Sequence, residues 1–150
     1  MKPFFGLAVM LLLIHLIGCG FSKSTKPKEL SPDEVIRRHF LLLNQKNQEG
    51  AELCMIPERR NEILWDLDLQ YHRKLISVVQ DNKEDVLYSY LKTGRGSKIK
   101  PYAIKIYKVK FDLKYDMESI SSNENGINTW YYYVVKQTKD SPWLIDDWGI

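Results

Sequence analysis

The 150-residue sequence carries a formal charge of +3, too mild a balance to argue for a nucleic-acid partner. Its aromatic share of 12 %, with nine Tyr and four Trp, suits a β-rich packed domain and argues against a disordered chain. No His, Cys and Asp set has metal-ligand spacing, so neither a metal nor a cofactor is expected.

The chain opens on an apolar run, Phe4 to Ile17, behind a start that carries one lysine, Lys2. The run is shorter than the roughly 20 residues a membrane span needs. It closes on Leu16-Ile17-Gly18-Cys19. This stretch resembles the lipobox of bacterial lipoprotein signal peptides: Leu, a small or β-branched residue, Gly or Ala, then Cys. The resemblance implies cleavage before Cys19 and transfer of a diacylglyceryl group to Cys19. Acyl chains of the palmitate kind would then anchor the protein at the extracytoplasmic face of the cell membrane. Residues 1–18 become the signal peptide, 19–30 the lipidated cysteine and a flexible tether, and 31–150 a single domain. Lipidation of Cys19 also removes the only possible disulfide partner of Cys54, which is expected to be a buried structural thiol.

Residues 20–30 are mostly small, polar or basic and lack periodicity; eleven such residues reach about 18 Å. Lys23, Lys26 and Lys28 could each add up to about 1 kcal/mol of attraction to an anionic leaflet, although a solvated linker is the simpler account. Ser31-Pro32-Asp33-Glu34 reads as a helix start, with a capping Ser, Pro at the first helical position and Glu three residues after the cap. Val35, Ile36, His39, Phe40 and Leu43 then share one face as far as about Lys46. Residues 47–55 and 58–66 read as further short helical pieces. Residues 67–81 turn strand-like, most clearly at 75–79. Residues 83–92 return to helical spacing, and Gly94-Arg95-Gly96-Ser97 reads as a loop without the spacing of a phosphate-binding loop.

The last third is β. From Tyr107 to Tyr115 apolar and polar residues alternate, whereas Ile104 and Ile106 upstream are out of phase, which predicts a bulge or bend near Ile106 or Tyr107. Asn125-Gly126 suits a hairpin turn. Residues 128–137 are apolar on both faces and belong in the middle of a covered sheet. Asp140-Ser141-Pro142 makes a turn before the last strand, 143–148.

This order predicts an α+β fold, with N-terminal helices packed on a curved antiparallel sheet, and it resembles the cone-shaped nuclear-transport-factor-2-like (cystatin-like) fold. The stretches Ser31-Pro32-Asp33-Glu34-Val35, Phe40-Leu41-Leu42-Leu43-Asn44, Trp130-Tyr131-Tyr132-Tyr133-Val134-Val135 and Ser141 to Gly149 resemble bacterial lipoproteins carrying domain of unknown function 4829. That family brings a fold and a surface address but no established activity.

Candidate chemistry is sparse. Parity along the last strand puts Asp146 and Asp147 on opposite faces, so one acid would lie near aromatic side chains and could serve as a base, as in isomerases and dehydratases of the implied fold. The alternative is a solvated strand end. His39, on the apolar helix face, is a second candidate base or a buried structural His. His72 is expected at the surface. Tyr107, Phe111, Trp130, Tyr132, Trp143 and Trp148 are core residues or, at the open end of a cone, contacts for an apolar ligand. The expected function is a membrane-anchored lipoprotein domain that binds a small apolar ligand or an envelope protein. A small pocket enzyme and a structural envelope accessory domain are the alternatives.

Overall fold

The computed structural model describes residues 28–60, 70–115 and 125–149. The expected signal peptide, Cys19, most of the expected tether, most of the 58–66 piece and the strand start at 67–69 lie outside the described residues. Helix α1 (Pro32–Asn44) starts where the sequence places it: Glu34 Oε2 accepts the Ser31 N–H at 2.7 Å, and Ser31 Oγ lies 2.7 Å from Asp33 Oδ1. Helix α2 (Gln48–Leu53) is capped by Asn47, whose Oδ1 accepts the Gly50 N–H at 2.9 Å. A single turn, α3 (Pro57–Arg60), follows. Then come β1 (Gln70–Gln80), α4 (Glu84–Lys92), α5 (Gly96–Ile99), β2 (Ala103–Tyr115), β3 (Gly126–Lys136) and β4 (Leu144–Gly149).

The strands form one open antiparallel sheet in the order β1-β2-β3-β4. Its inner face receives α1, and α2 packs against α1. Val35, Ile36, Phe40 and Leu43 meet Val109, Phe111, Leu113, Tyr132 and Val134 in the main core. The Phe40 and Phe111 rings pack edge-on at 5.3 Å. Each such side chain, fully buried, contributes about 1.5–3 kcal/mol. Asn125-Gly126 is not the turn itself: Gly126 opens β3 opposite Leu113 at φ +116, a conformation that suits Gly, and Asn125 Oδ1 accepts the Tyr115 N–H at 2.8 Å.

A second, smaller core explains the phase reversal in β2. Ile56, Tyr90 and Val135, with Ile99, Ile104, Tyr133 and Leu144, pack on the outer face under α4 and α5. Ile106 and Tyr107 are therefore both buried, on opposite faces. The bulge expected near Ile106 or Tyr107 is absent: β2 pairs with β3 without a break from Ala103↔Lys136 to Leu113↔Gly126. The register shifts fall instead in β1, between Gln70 and His72 and between Leu75 and Ser77, and at the β3–β4 pairing. Strand β3 lies between β2 and β4, as its two apolar faces require.

The expected loop at residues 94–97 also needs correcting, because Gly96 opens the helical turn α5. A Cβ on Gly96 would lie 2.4 Å from the Tyr90 ring, and one on Gly94 would lie 2.9 Å from the Tyr90 carbonyl oxygen. The two glycines thus let α5 close onto α4.

Candidate functional site

Strand β4 collects the side chains that could carry chemistry. Tyr133 pairs with Asp147 and Val134 with Ile145, so Asp146 is the extra residue of a bulge. Parity along an unbroken strand would put the two acids on opposite faces. The bulge puts both on the outer side, which overturns the expectation of one acid per face. Asp146 is fully buried; Tyr90 Oη donates to its Oδ2 at 2.6 Å, and Arg95 Nε to its Oδ1 at 3.2 Å. Asp147 pairs with Arg59 at 3.2 Å. The Tyr90 ring stacks on Tyr133 at 4.4 Å and 10°. Burial, then the hydrogen bond to Asp146, pushes the Tyr90 hydroxyl pKa far up. Burial also raises the Asp147 carboxyl, while Arg59 opposes it. Two carboxylates thus face two guanidiniums in a neutralised clasp that ties β4 to α3, α4 and α5. Asp146 thus has both oxygens engaged, one by Tyr90 and one by Arg95.

His39 lies on the other side of the sheet. It is fully buried, with Nδ1 3.1 Å from the Ala51 carbonyl oxygen and its ring 5.7 Å from Trp148. Burial lowers its pKa to about 4, so the ring is neutral. The structure does not bring His39 together with Asp146 or Asp147 as a catalytic set. His72 is half-buried, 3.2 Å from Asp112 on the outer sheet face.

Of the six aromatic candidates, Tyr107, Phe111, Trp130 and Tyr132 pack in the main core. Trp148 lies at its edge, stacked on Tyr132 at 5.7 Å under the Arg59 guanidinium at 5.4 Å. Burial pushes the Tyr132 hydroxyl up to about 12. Trp143 alone among the six lines an apolar groove of about 260 Å³, with Leu30, Val35, Leu53, Cys54 and Leu144. Exposed Arg38 and Glu29 complete the groove. Lys136 pairs with Glu29 at 2.8 Å and covers the Trp143 ring at 5.6 Å, so Arg38 remains the groove's positive charge. Cys54 sits at the floor, where burial raises its thiol pKa and Arg38 partly offsets that. A second, polar groove of about 430 Å³ runs past Glu58, Arg95, Lys98 and Gln137. Neither groove includes His39, Asp146 or Asp147. No group of three His, Cys, Asp or Glu among the described residues could hold a metal ion.

The family model described as Domain of unknown function (DUF4829) matches residues 33–149. The chain belongs to the DUF4829 family. Among curated proteins and among solved structures, nothing matches it. The DUF4829 match spans both the clasp and nearly all of the groove wall. Tyr90, Arg59 and Arg95 are not recognisable from sequence as partners of the two acids: Tyr90 reads as one apolar position of a helix, and Arg95 lies 51 residues before Asp146. The one available signal is the Asp-Asp pair in an otherwise apolar strand, since buried acids require cations.

Proposed function

We propose that this DUF4829 protein is a lipoprotein, anchored through Cys19 at the extracytoplasmic face of a bacterial membrane. Its domain is a non-enzymatic binding module, an open variant of the nuclear-transport-factor-2-like fold. The observation that carries the anchor is Leu16-Ile17-Gly18-Cys19 closing the run from Phe4. The observation that favours binding is the apolar groove of Leu30, Val35, Leu53, Cys54 and Trp143, which suits a small apolar ligand or an apolar side chain of an envelope partner. Neither groove reaches His39, Asp146 or Asp147, and Asp146 has both oxygens engaged, which supports binding over the pocket-enzyme alternative.

The anchor is tested by metabolic labelling with palmitate. The wild-type chain takes up label and sediments with membranes, and Cys19→Ser does neither; a labelled, membrane-bound Cys19→Ser variant overturns the reading. Two acyl chains hold stably, because each buried CH₂ contributes about 0.8 kcal/mol. For the groove, Trp143→Ala and Leu53→Lys should weaken uptake of an alkyl fluorophore; unchanged uptake in both removes the groove as the binding site.

A further inference from the structure

Among the described residues, helices cover the outer face of the sheet over only half its length. Tyr90 and Ile99 lie over Ile104, Tyr133, Val135 and Leu144. Beyond Ile106 no described element lies over the face, and the pairing register states which residues occupy it. Val79 lies opposite Lys108, Ser77 opposite Lys110, and Lys74 opposite Asp112. Across the other edge of β2, Lys108 lies opposite Tyr131 and Asp112 opposite Ile127. Paired residues share a face, so Lys74, Lys108 and Lys110 form one basic row.

Lys74, Lys108 and Lys110 are exposed, and none makes an ion pair among the described residues. Asp112, the acid in the row, lies 3.2 Å from His72. Two branched apolar side chains stand among these charges, Val79 at 59 % and Ile127 at 60 % exposure. A face built only for water would carry polar residues there.

Resting on the anchored reading above, we propose that this open sheet face docks on the anionic leaflet that holds the Cys19 lipid. The occupant is the phosphate-bearing surface of the bilayer itself. Charge complementarity favours it: lysines near an anionic surface attract it strongly, while their apolar neighbours tolerate the headgroup boundary. Reach permits it. The eleven residues from Gly20 to Leu30 span at most about 40 Å when extended. Such a tether can carry the domain across the thickness of its own sheet, and it keeps the face close to the membrane at all times.

The test is amine footprinting of the palmitate-labelled chain, reconstituted in vesicles of phosphatidylcholine alone or mixed with phosphatidylglycerol. Acetylation of Lys74, Lys108 and Lys110 should slow roughly fivefold or more in the anionic vesicles only, and recover at high salt. Lys46, which follows α1 on the opposite side of the sheet, should react equally in both. Lys108→Glu/Lys110→Glu should abolish protection of Lys74 while palmitate uptake and far-UV circular dichroism stay unchanged. Equal labelling in the two vesicle types overturns the proposal, as does protection that appears only when other envelope proteins are added. Failure of the anchor is read separately, as no palmitate on the protein. The unacylated chain is then mixed with the same vesicles, and the same footprint decides the docking face.

Discussion

Acidification through the range of pH 6.5 to 4 should destabilise this domain through His39. The ring is fully buried, its Nδ1 bonds to the Ala51 carbonyl at 3.1 Å, and burial lowers its pKa from 6.5 to about 4. A carbonyl partner requires Nδ1 to carry the proton of the neutral ring. The unfolded chain takes up a proton below pH 6.5, whereas the native chain resists it until about pH 4. Within that window the unfolded state binds more protons, so stability is full above the unfolded pKa and falls as pH drops. At about 1.4 kcal/mol per pH unit, the gap removes about 3 kcal/mol by pH 4. That is a large part of the roughly 5–15 kcal/mol that holds a domain together. The assay is urea unfolding of the detergent-solubilised chain between pH 7 and 4, compared with His39→Leu. The variant loses the bond to Ala51, an offset of about 1 kcal/mol at every pH, but its pH dependence should flatten by about 3 kcal/mol. Parallel curves for the two proteins, or a His39 ring titrating near 6.5 by NMR, would refute the reasoning.

Tyr90→Phe takes a donor from the buried Asp146 carboxylate and should cost about 2 kcal/mol, or on the order of 8 °C in Tm by calorimetry; an unchanged Tm would mean that Arg95 alone satisfies the acid. Gly96→Ala drives a Cβ to 2.4 Å from a Tyr90 ring that is already stacked on Tyr133, for an expected loss of about 1–3 kcal/mol. Gly149→Ala, with nothing within 4 Å of the added Cβ, should stay within about 0.5 kcal/mol on the same denaturation curve. The Cys54 thiol is buried and its pKa raised, so a disulfide reagent at pH 8 should react at least about tenfold more slowly with native than with urea-unfolded protein. The unfolded chain should then titrate one thiol if Cys19 is acylated and two if it is not.

The parts of the fold that show in the sequence are those whose signal is local. The Pro32 start and the apolar face of Val35, Ile36, His39, Phe40 and Leu43 suffice for α1, because a cap and a 3.6-residue period are properties of one segment. Alternation from Tyr107 to Tyr115 and the two-faced apolarity of 128–137 likewise give β2 and the central place of β3. The reversal at Ile104 and Ile106 misleads for a definable reason. A change of phase can mean an inserted residue or a second covering layer, and the strand's own sequence does not distinguish the two. Here the layer is α4 with α5, whose contact depends on two glycines passing the Tyr90 side chain and backbone. Nothing in the periodicity of residues 83–99 reports such a steric fit.

Strand β4 shows the same limit in the chemistry. Parity assigns Asp146 and Asp147 to opposite faces, and one extra residue in the β3–β4 pairing defeats it. The consequence reaches beyond the strand. Helix α3 is a single turn with no buried residue, and α5 is a single turn that buries only Gly96. Neither could persist in water on its own propensity. Each is held by an arginine to a β4 carboxylate, Arg59 to Asp147 and Arg95 to Asp146, both at 3.2 Å. The bulge therefore turns the acid pair of β4 into the fastening for two short segments, one read from the sequence as the start of a helical piece and the other as a loop. A pair of adjacent acids in a terminal apolar strand, with arginines in short helical turns upstream, points to a clasp of this kind before it points to catalysis.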